Sequence, residues 1–600
     1  LEGPILRECW LVEMILGLSS RRPFPKRATL LVVGGTWALM VLAALIFVAH
    51  YGSNVPSWDD WDMVPTMTGA QPVTAAWLWS QHNEHRVPLP RLLLLGLYRI
   101  KPDFRVPMFF NVLVMAALAL AMILAAWSAR GDLSYTDAFF PLLLLNVAHG
   151  LNFIWAWQLE FFVSTALAGT VLLIVTRASA FRISTAAATG ICLLLLGMSG
   201  AHGVALLPAM AVWLGGAGLL GWRSGGRHAQ RDGLAALGLA FGALLLTALY
   251  FVGYETVPYH PTSSSVRATL WTALQFLTMG FGPAVSTLWP ASGIAMLGLL
   301  FITCALLGRV FWKQPGERYR ALGLLGFFAA MSSLAVGLGL GRNGFEPRYV
   351  TLSVPALCGV YFAWSLYGPP MANLPARAAL FLIALVTFWP NTEFGVAYAA
   401  DVRSRLGSFE RDLAAGVSGP ELIGRYHAYL HPHQDLLTDY LPMLGRAGIG
   451  RFRLLRYAPP SRHITLPLVP IAVNQVRWQE GTAVVTGSFP YLEFALPADT
   501  YVHGVRLRYT PLNTDGRLPF VSIYWKRSDH EAFDQTRYYK FSPTGDRMNW
   551  ERGAWTRLND PDTAVTVWIY DRVRQVRISP DRKPGVFKIL ELALIVPANG

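Results

Sequence analysis

Residues 29–48 read TLLVVGGTWALMVLAALIFV and contain no charged side chain. A run of about twenty apolar residues is long enough to cross a bilayer as an α-helix. It follows Arg21, Arg22, Lys26 and Arg27, and no small-residue cleavage site comes after it. The run is therefore predicted to be an uncleaved first membrane span, and the basic residues before it place the N-terminus inside.

The composition of the whole chain also predicts a membrane protein. Of its 600 residues, 53% are hydrophobic and only 14% are charged, which is typical of chains embedded in a lipid bilayer. The formal net charge is +14, but many Lys and Arg residues fall in loops between apolar runs, where they set topology. No basic tract with a nucleic-acid-reading motif is present, so we expect the bilayer, and no nucleic acid, as a partner.

Similar apolar runs predict about eleven transmembrane helices in residues 28–392. The runs lie near 29–50, 106–128, 137–149, 157–176, 184–199, 203–222, 233–254, 291–311, 320–340, 350–367 and 376–391. This arrangement places Lys and Arg in the inside loops at nearly every turn. It predicts a cytoplasmic segment at 1–27, a first outer loop at 51–105, and inside loops that are short and hold no polar cluster comparable to those of the outer loops.

Two apolar segments do not fit a simple span. Residues 87–100 are short and interrupted by Pro88, Pro90 and Arg91, which indicates an amphipathic or re-entrant segment. Residues 269–289 could span, but the basic loop at 309–320 would then lie outside. We therefore expect a re-entrant or interfacial segment there, and a C-terminus outside.

The composition changes after residue 392. Residues 393–463 mix charges at helical spacing and predict a helical linker on the outer face. Residues 464–600 alternate apolar and polar positions, as in Val521-Ser522-Ile523-Tyr524-Trp525, which predicts short β-strands. About 135 residues of this kind predict an all-β sandwich that resembles a jelly roll. None of the four cysteines lies in this part, so no disulfide framework is expected.

The first predicted outer loop contains an acidic segment, Trp58-Asp59-Asp60-Trp61-Asp62-Met63. Asp60 and Asp62 have the D-x-D spacing, which could hold a divalent cation such as Mg²⁺ or Mn²⁺. Alternatively, one carboxylate could act as a general base while a neighbour raises its pKa. Trp58 and Trp61 could contact substrate or form an interfacial aromatic belt. Alternatively, the segment has no catalytic or binding role and is simply a solvated acidic turn.

The predicted topology brings further polar residues to the same outer face. Arginine suits bidentate binding of phosphate, and a lipid phosphate would lie at this depth. The alternative is head-group contact by interfacial arginines, and Arg86 is a natural ion partner for one aspartate. The candidate substrate-binding residues are Glu84, His85, Arg86, Gln158, Glu160, His202, His260, Arg342 and Arg348, together with Trp58 and Trp61.

With this acidic motif, about eleven spans, outer-face Arg and His residues and an outer C-terminal domain, residues 28–392 resemble the GT-C superfamily of integral-membrane glycosyltransferases. The tail resembles the carbohydrate-binding jelly rolls that some members carry. Protein O-mannosyltransferases are similar in carrying Asp-Glu in this loop, where this chain has Asp59-Asp60; this departure bears on their substrate but not on the role of the acid.

The resemblance implies a polyprenyl-phosphate-sugar donor and transfer to a glycan, lipid or protein acceptor outside a bacterial inner membrane. Asp60 or Asp59, with Asp62 as a further candidate, would be the general base. Arg342, Arg348 and His202 would stabilise the departing lipid phosphate, and the resemblance implies no certain cofactor.

Three other classes of protein remain open. A transporter or flippase of lipid-linked sugars would need polar residues at mid-membrane depth or broken spans in matching halves. An O-antigen polymerase or ligase would also use outer Arg and His residues, with less dependence on the acidic segment. A non-catalytic glycan-binding membrane protein would lose its function with the β-domain.

Overall fold

A computed structural model describes most of the chain. The described residues are 26–178, 180–223, 226–255, 262–513, 520–530, 532–534, 536–541, 546–549, 554–557 and 564–598. Almost all of the predicted cytoplasmic segment 1–27 lies outside the described residues. The candidate residue His260 also lies outside them. The described chain is mostly helical, with a β-rich C-terminal region.

The α-helices are numbered in chain order. They are α1 (Arg27–Tyr51), α2 (Val64–Met67), α3 (Ala75–Trp79), α4 (Pro88–Ile100), α5 (Arg105–Arg130), α6 (Phe139–Leu144), α7 (Gly150–Phe153), α8 (Leu159–Arg177), α9 (Ile183–Gly197), α10 (Ala201–Val204), α11 (Leu207–Arg223), α12 (Arg227–Tyr250), α13 (Val266–Thr278), α14 (Ala291–Lys313), α15 (Arg318–Gly339), α16 (Val350–Tyr367), α17 (Pro370–Ala414), α18 (Gly419–Leu430) and α19 (Gln434–Arg446). Short 3-10 helices cover Trp58–Met63, Tyr135–Ala138, Val147–His149, Ala156–Gln158, Met279–Phe281, Pro283–Leu288, Pro315–Glu317, Pro347–Tyr349 and Gly450–Leu454.

Within the described residues, nine helices are long and apolar enough to cross a membrane. They are α1, α5, α8 extended to Ala156, α10 with α11, α12, α14, α15 extended to Pro315, α16 extended to Pro347, and α17. These helices indicate a multi-pass membrane protein. Two of the predicted spans are not among these nine helices. Residues 184–199 form the shorter apolar helix α9, and residues 137–149 form no long helix.

The predicted span at 137–149 is broken for a local reason. It contains the end of the 3-10 helix Tyr135–Ala138, then α6, and then the 3-10 helix Val147–His149. Between the last two, the side-chain Oδ1 of Asn146 accepts a hydrogen bond of 2.7 Å from the N–H of Ala148. Asn146 thus caps a new turn instead of continuing the helix, and apolar composition alone does not reveal that break.

Other predicted boundaries also shift. The segment 87–100 is the helix α4, and 269–289 is covered by α13 and two 3-10 helices, so each contains only a short helix. The boundary predicted at 392 falls inside α17, which continues to Ala414. Pro375 and Pro390 lie within this helix, so neither proline ends it.

The strands are also numbered in chain order. They are β1 (Gln81–His82), β2 (His85–Arg86), β3 (Ser461–Thr465), β4 (Ala472–Asn474), β5 (Val476–Gln479), β6 (Thr482–Val485), β7 (Tyr491–Asn513), β8 (Val521–Lys526), β9 (Tyr538–Phe541), β10 (Asp546–Asn549), β11 (Ala554–Arg557), β12 (Ala564–Ser579) and β13 (Val586–Pro597). Nine of them form one sheet in the order β5-β6-β13-β7-β12-β8-β9, with β3 beside β13 and β4 beside β7.

The predicted alternation holds in this sheet. On β8, Val521, Ile523 and Trp525 are buried, and they belong to an apolar core with Leu492 and Val576. Their neighbours Ser522 and Tyr524 point to the other side and are half-buried. The alternation is what a sheet with one face on a core produces.

The described residues form two compact units. One comprises the described part of residues 1–53 together with Gln81–Arg403, and the other comprises Asn54–Ser80 and Ser404–Gly600. Residues 54–80 of the predicted first outer loop therefore cluster with the C-terminal unit. In that unit α2 packs on α19, while Gln434 of α19 accepts a 2.8 Å hydrogen bond from the N–H of Trp568.

A buried polar network joins helices of the first unit. Arg130, at the end of α5, forms an ion pair of 2.5 Å with the fully buried Asp137. The hydroxyl of Tyr361 donates to Asp137 at 2.8 Å, and Arg377 of α17 donates to Thr136 at 3.3 Å. The network ties α5, α16 and α17 to the turn that carries Asp137.

Candidate functional site

The segment Gln81–Arg86 forms a small β-hairpin in the first unit. Strands β1 and β2 pair Gln81 with Arg86 and His82 with His85. Asn83 in the turn has φ +48°, a left-handed conformation that asparagine tolerates better than most residues. The sequence His82-Asn83-Glu84-His85 therefore forms a tight turn that presents Glu84 and His85 next to each other.

The end of helix α12 fixes this hairpin. Arg86 donates through Nε to the carbonyl of Tyr250 at 2.9 Å and through a terminal nitrogen to the carbonyl of Val252 at 2.9 Å. The Tyr250 hydroxyl donates to the carbonyl of Glu84 at 2.9 Å and accepts from the N–H of Arg86 at 3.0 Å. Arg86, predicted as an ion partner of the acidic segment, thus caps the carbonyls at the C-terminus of a helix.

Glu84 forms an ion pair with Arg342, which follows α15. Each side chain is only 18% exposed. The contact joins residues 258 positions apart in the sequence and brings the hairpin to the end of α15. The charge of Arg342 is therefore held at a defined point at this end of the helices.

His85 lies beside this pair and is electrically neutral. Its Nδ1 accepts a hydrogen bond of 3.2 Å from the N–H of Ala201, so the ring proton must be on Nε2. Burial lowers the pKa of His85 well below its ordinary value, and His202, Arg342, His82 and Arg348 lower it further. His85 therefore offers one N–H donor and no positive charge at neutral pH.

His202 is placed by the tight turn before α10. Its ring lies 5.5 Å from that of His85 and 5.0 Å from that of Phe161, between centroids. Gly200 has φ +128°, and a Cβ atom there would lie 2.8 Å from Cε1 of His202. Only glycine combines this backbone with a ring so close, so the sequence Gly200-Ala201-His202 fixes the position of the histidine.

Arg348 is the fourth member of this group and precedes α16. Its carbonyl accepts a hydrogen bond of 2.7 Å from Asn152, which also donates to Thr351 at 2.7 Å. The positive charge of Arg348 helps to lower the pKa of His85. We refer to His85, His202, Arg342 and Arg348 as the Arg–His cluster. Two guanidinium groups and two imidazoles in partly buried positions can bind an anion with several oxygens, such as a phosphate.

No protein-family model matches this chain, and no curated protein matches it. The chemistry of the site therefore has to follow from its residues.

Gln158 and Glu160 lie at the start of α8, in the same unit. Both are buried, at 1% and 4% exposure. The carboxylate of Glu160 interacts electrostatically with Tyr250, which also holds the hairpin. The structure thus brings together, at one end of the helices, the predicted residues Glu84, His85, Arg86, Gln158, Glu160, His202, Arg342 and Arg348.

The acidic segment belongs to the second unit, where it forms the 3-10 helix Trp58–Met63. Asp60 is buried, and its Oδ2 accepts a hydrogen bond of 3.1 Å from the N–H of Ser57. This hydrogen bond is one of the two that form a capping box between Ser57 and Asp60. A capping box stabilises the start of a helix. Trp61 is fully buried, whereas Trp58 is 46% exposed, so only Trp58 presents much of its ring.

Asp59 and Asp62 are half-buried and lie near a histidine of the same unit. Burial lowers the pKa of His431 to about 4, with a contribution from His433, while Asp62 and Asp59 act in the opposite direction. Over the part of the chain that the structure describes, no group of three or more His, Cys, Asp or Glu side chains is arranged to hold a metal ion. A cation on Asp60 and Asp62 stays a prediction.

Replacing Asp60 by alanine should destabilise the second unit by about 1 kcal/mol, because the helix start loses its capping carboxylate. Asp60→Asn keeps an acceptor oxygen and should cost less. Thermal unfolding of the purified full-length chain measures both, with the exposed Asp132→Ala as the control. Equal melting temperatures for Asp60→Ala and Asp132→Ala would contradict the capping role.

Proposed function

We propose that this chain is a membrane glycosyltransferase. In this proposal it transfers a sugar from a polyprenyl-phosphate donor to a hydroxyl of a glycan, lipid or protein acceptor. The observation that carries the proposal is the Arg–His cluster, because it collects phosphate-binding groups at the ends of long apolar helices. A prenyl chain in the bilayer would present its phosphate at such a depth.

The cluster suits a phosphate that gains charge during the reaction. Arg342 and Arg348 supply permanent positive charge, and His85 supplies a neutral N–H donor from Nε2. Groups fixed before the reaction stabilise developing charge at no cost in reorganisation. Glu84 holds Arg342 in place and also competes with an incoming phosphate for that guanidinium.

The reaction would be a single displacement at the anomeric carbon. The acceptor oxygen forms the new bond to that carbon, and the bond to the phosphate oxygen breaks, so the configuration inverts. The proton of the acceptor hydroxyl goes to an aspartate, and the prenyl phosphate leaves with the bonding electron pair. In this proposal the base is an aspartate of the acidic segment, Asp60 or Asp59, with Asp62 as a further candidate.

The finer architecture forms part of the same proposal. We propose a GT-C-like helical unit with its site and β-domain on the outer side of a bacterial inner membrane. The distribution of Lys and Arg supports this orientation. The C-terminal domain in this proposal is jelly-roll-like, and the antiparallel sheet of nine strands supports its all-β character. A sugar transferred outside would come from a lipid-linked donor.

A second candidate is a polymerase or ligase of lipid-linked glycans that relies on Arg and His without an aspartate base. It is favoured by one observation: the Arg–His cluster and the acidic segment belong to different compact units. A flippase is less favoured, because the polar residues gather at one end of the helices.

Replacing Asp59 by asparagine separates these candidates. If Asp59 is the general base, Asp59→Asn should reduce transfer by about 10²–10⁴-fold, with little change in donor binding. The measurement is release of prenyl phosphate in proteoliposomes supplied with a panel of prenyl-phosphate sugars, with Asp132→Asn as the matched exposed control. Full activity in Asp59→Asn, Asp60→Asn and Asp62→Asn alike would refute an aspartate base and favour the second candidate.

A further inference from the structure

Four buried side chains near the Arg–His cluster contain polar atoms without a hydrogen-bond partner among the described residues. The atoms are Nδ2 and Oδ1 of Asn111, Oδ1 of Asn152, Oε1 of Gln158 and Oγ of Ser164. Each of the four residues is at most 1% exposed. Leaving such groups unpaired in an apolar interior is costly, and native proteins rarely do so without a reason.

The four side chains come from elements that pack on one another. Asn111 is in α5, Asn152 is in α7, Gln158 ends the 3-10 helix Ala156–Gln158, and Ser164 is in α8. Helix α5 packs on α7, on α8 and on that 3-10 helix. The elements that carry these polar atoms therefore pack together within the first unit.

This region adjoins the Arg–His cluster. Asn152 donates its Nδ2 hydrogens to the carbonyl of Arg348 and to Thr351, which leaves its Oδ1 as the open acceptor. Phe161, less than one helical turn before Ser164, lies against His202. A ligand whose phosphate contacts Arg348 would have its next chemical group near the amide of Asn152.

We infer that these side chains form the binding site for the sugar ring of the donor. The inference rests on the proposed function. Sugar hydroxyls both donate and accept hydrogen bonds, so they can pair with an amide oxygen, an amide nitrogen and a hydroxyl in one place. A prenyl chain has no such groups, and a phosphate alone offers acceptors but would leave Oε1 of Gln158 and Oδ1 of Asn152 unpaired. Gln158 and Asn111 thus determine which sugar is accepted.

The test uses two near-isosteric variants, Gln158→Met and Asn111→Leu, in the full-length protein. Removing a buried polar group that has no partner should leave the melting temperature of the ligand-free protein unchanged or raise it. The binding probes are short-chain prenyl phosphates bearing glucose, mannose, galactose, arabinose or no sugar. Each variant should lose about tenfold in affinity for the sugar-bearing probe that the wild type prefers.

The probe without a sugar should bind each variant within about twofold of the wild type, because the phosphate contacts remain. The control is Thr189→Val, which removes a buried hydroxyl that bonds within its own helix and should change neither affinity. Unchanged affinity for the sugar-bearing probe, as expected if ordered water pairs these atoms, overturns the inference. So does an equal loss for probes with and without sugar. If the wild type binds no sugar-bearing probe, the proposed function fails as well, and the two failures are thereby distinguished.

Discussion

Replacing Asp137 by asparagine is expected to lower the free energy of unfolding of the helical unit by about 3–5 kcal/mol. Asp137 is fully buried and is bound to Arg130 at 2.5 Å. The neutral side chain would leave the guanidinium of Arg130, which is 11% exposed, without its counter-charge. Removing one partner of a buried pair costs far more than the pair itself contributes, because the remaining charge stays desolvated.

Thermal unfolding followed by far-ultraviolet circular dichroism in detergent measures this loss. Asp132→Asn is the matched control, since Asp132 is exposed in the same loop. Tyr361→Phe removes only the hydroxyl that donates to Asp137 at 2.8 Å and should cost about 1–2 kcal/mol. A variant with both Arg130→Met and Asp137→Leu should recover most of the loss, because neither charge of the pair then remains buried. Equal melting temperatures for Asp137→Asn and Asp132→Asn would refute the role of the pair.

The sequence predicts this fold where composition alone decides the structure. Long apolar runs such as 29–48 become helices, since an isolated apolar segment of that length has few other stable conformations in a bilayer. The prediction failed at 137–149, where apolar composition hides the capping residue Asn146. It also missed the buried network, because Tyr361 is more than 200 residues from its partner Asp137, and Arg377 is as far from its partner Thr136.

The candidate site was predictable to a similar extent. Counting charges along the loops grouped Glu84, His85, His202, Arg342 and Arg348 on one face, and the structure brings them together. Tyr250 could not be found that way, because it ends an apolar run and its hydroxyl acts through the hairpin backbone. The capping role of Asp60 had a recognisable signal, since Ser57-x-x-Asp60 is the spacing of a capping box.

Replacing Arg342 by alanine is expected to reduce transfer by about 10²–10³-fold, with most of the effect on kcat. The reason is that the departing prenyl phosphate carries more negative charge in the transition state than in the bound donor. A group that interacts mainly with this extra charge affects the chemical step more than it affects donor binding. Arg342→Lys keeps the charge but loses the bidentate geometry of the guanidinium. Its activity should therefore lie between those of the wild type and Arg342→Ala.

Two further variants distinguish this role from a structural one. Arg267→Ala removes an exposed arginine at the start of α13 and should leave transfer unchanged. Glu84→Gln frees Arg342 from its ion pair, so a prenyl phosphate without sugar should bind several-fold more tightly, while kcat falls because the guanidinium is held less firmly. A purely structural pair would instead lose stability in both Glu84→Gln and Arg342→Ala with no gain in phosphate affinity. Tighter phosphate binding combined with slower transfer is therefore the result that identifies the ion pair as a positioning device for the leaving group.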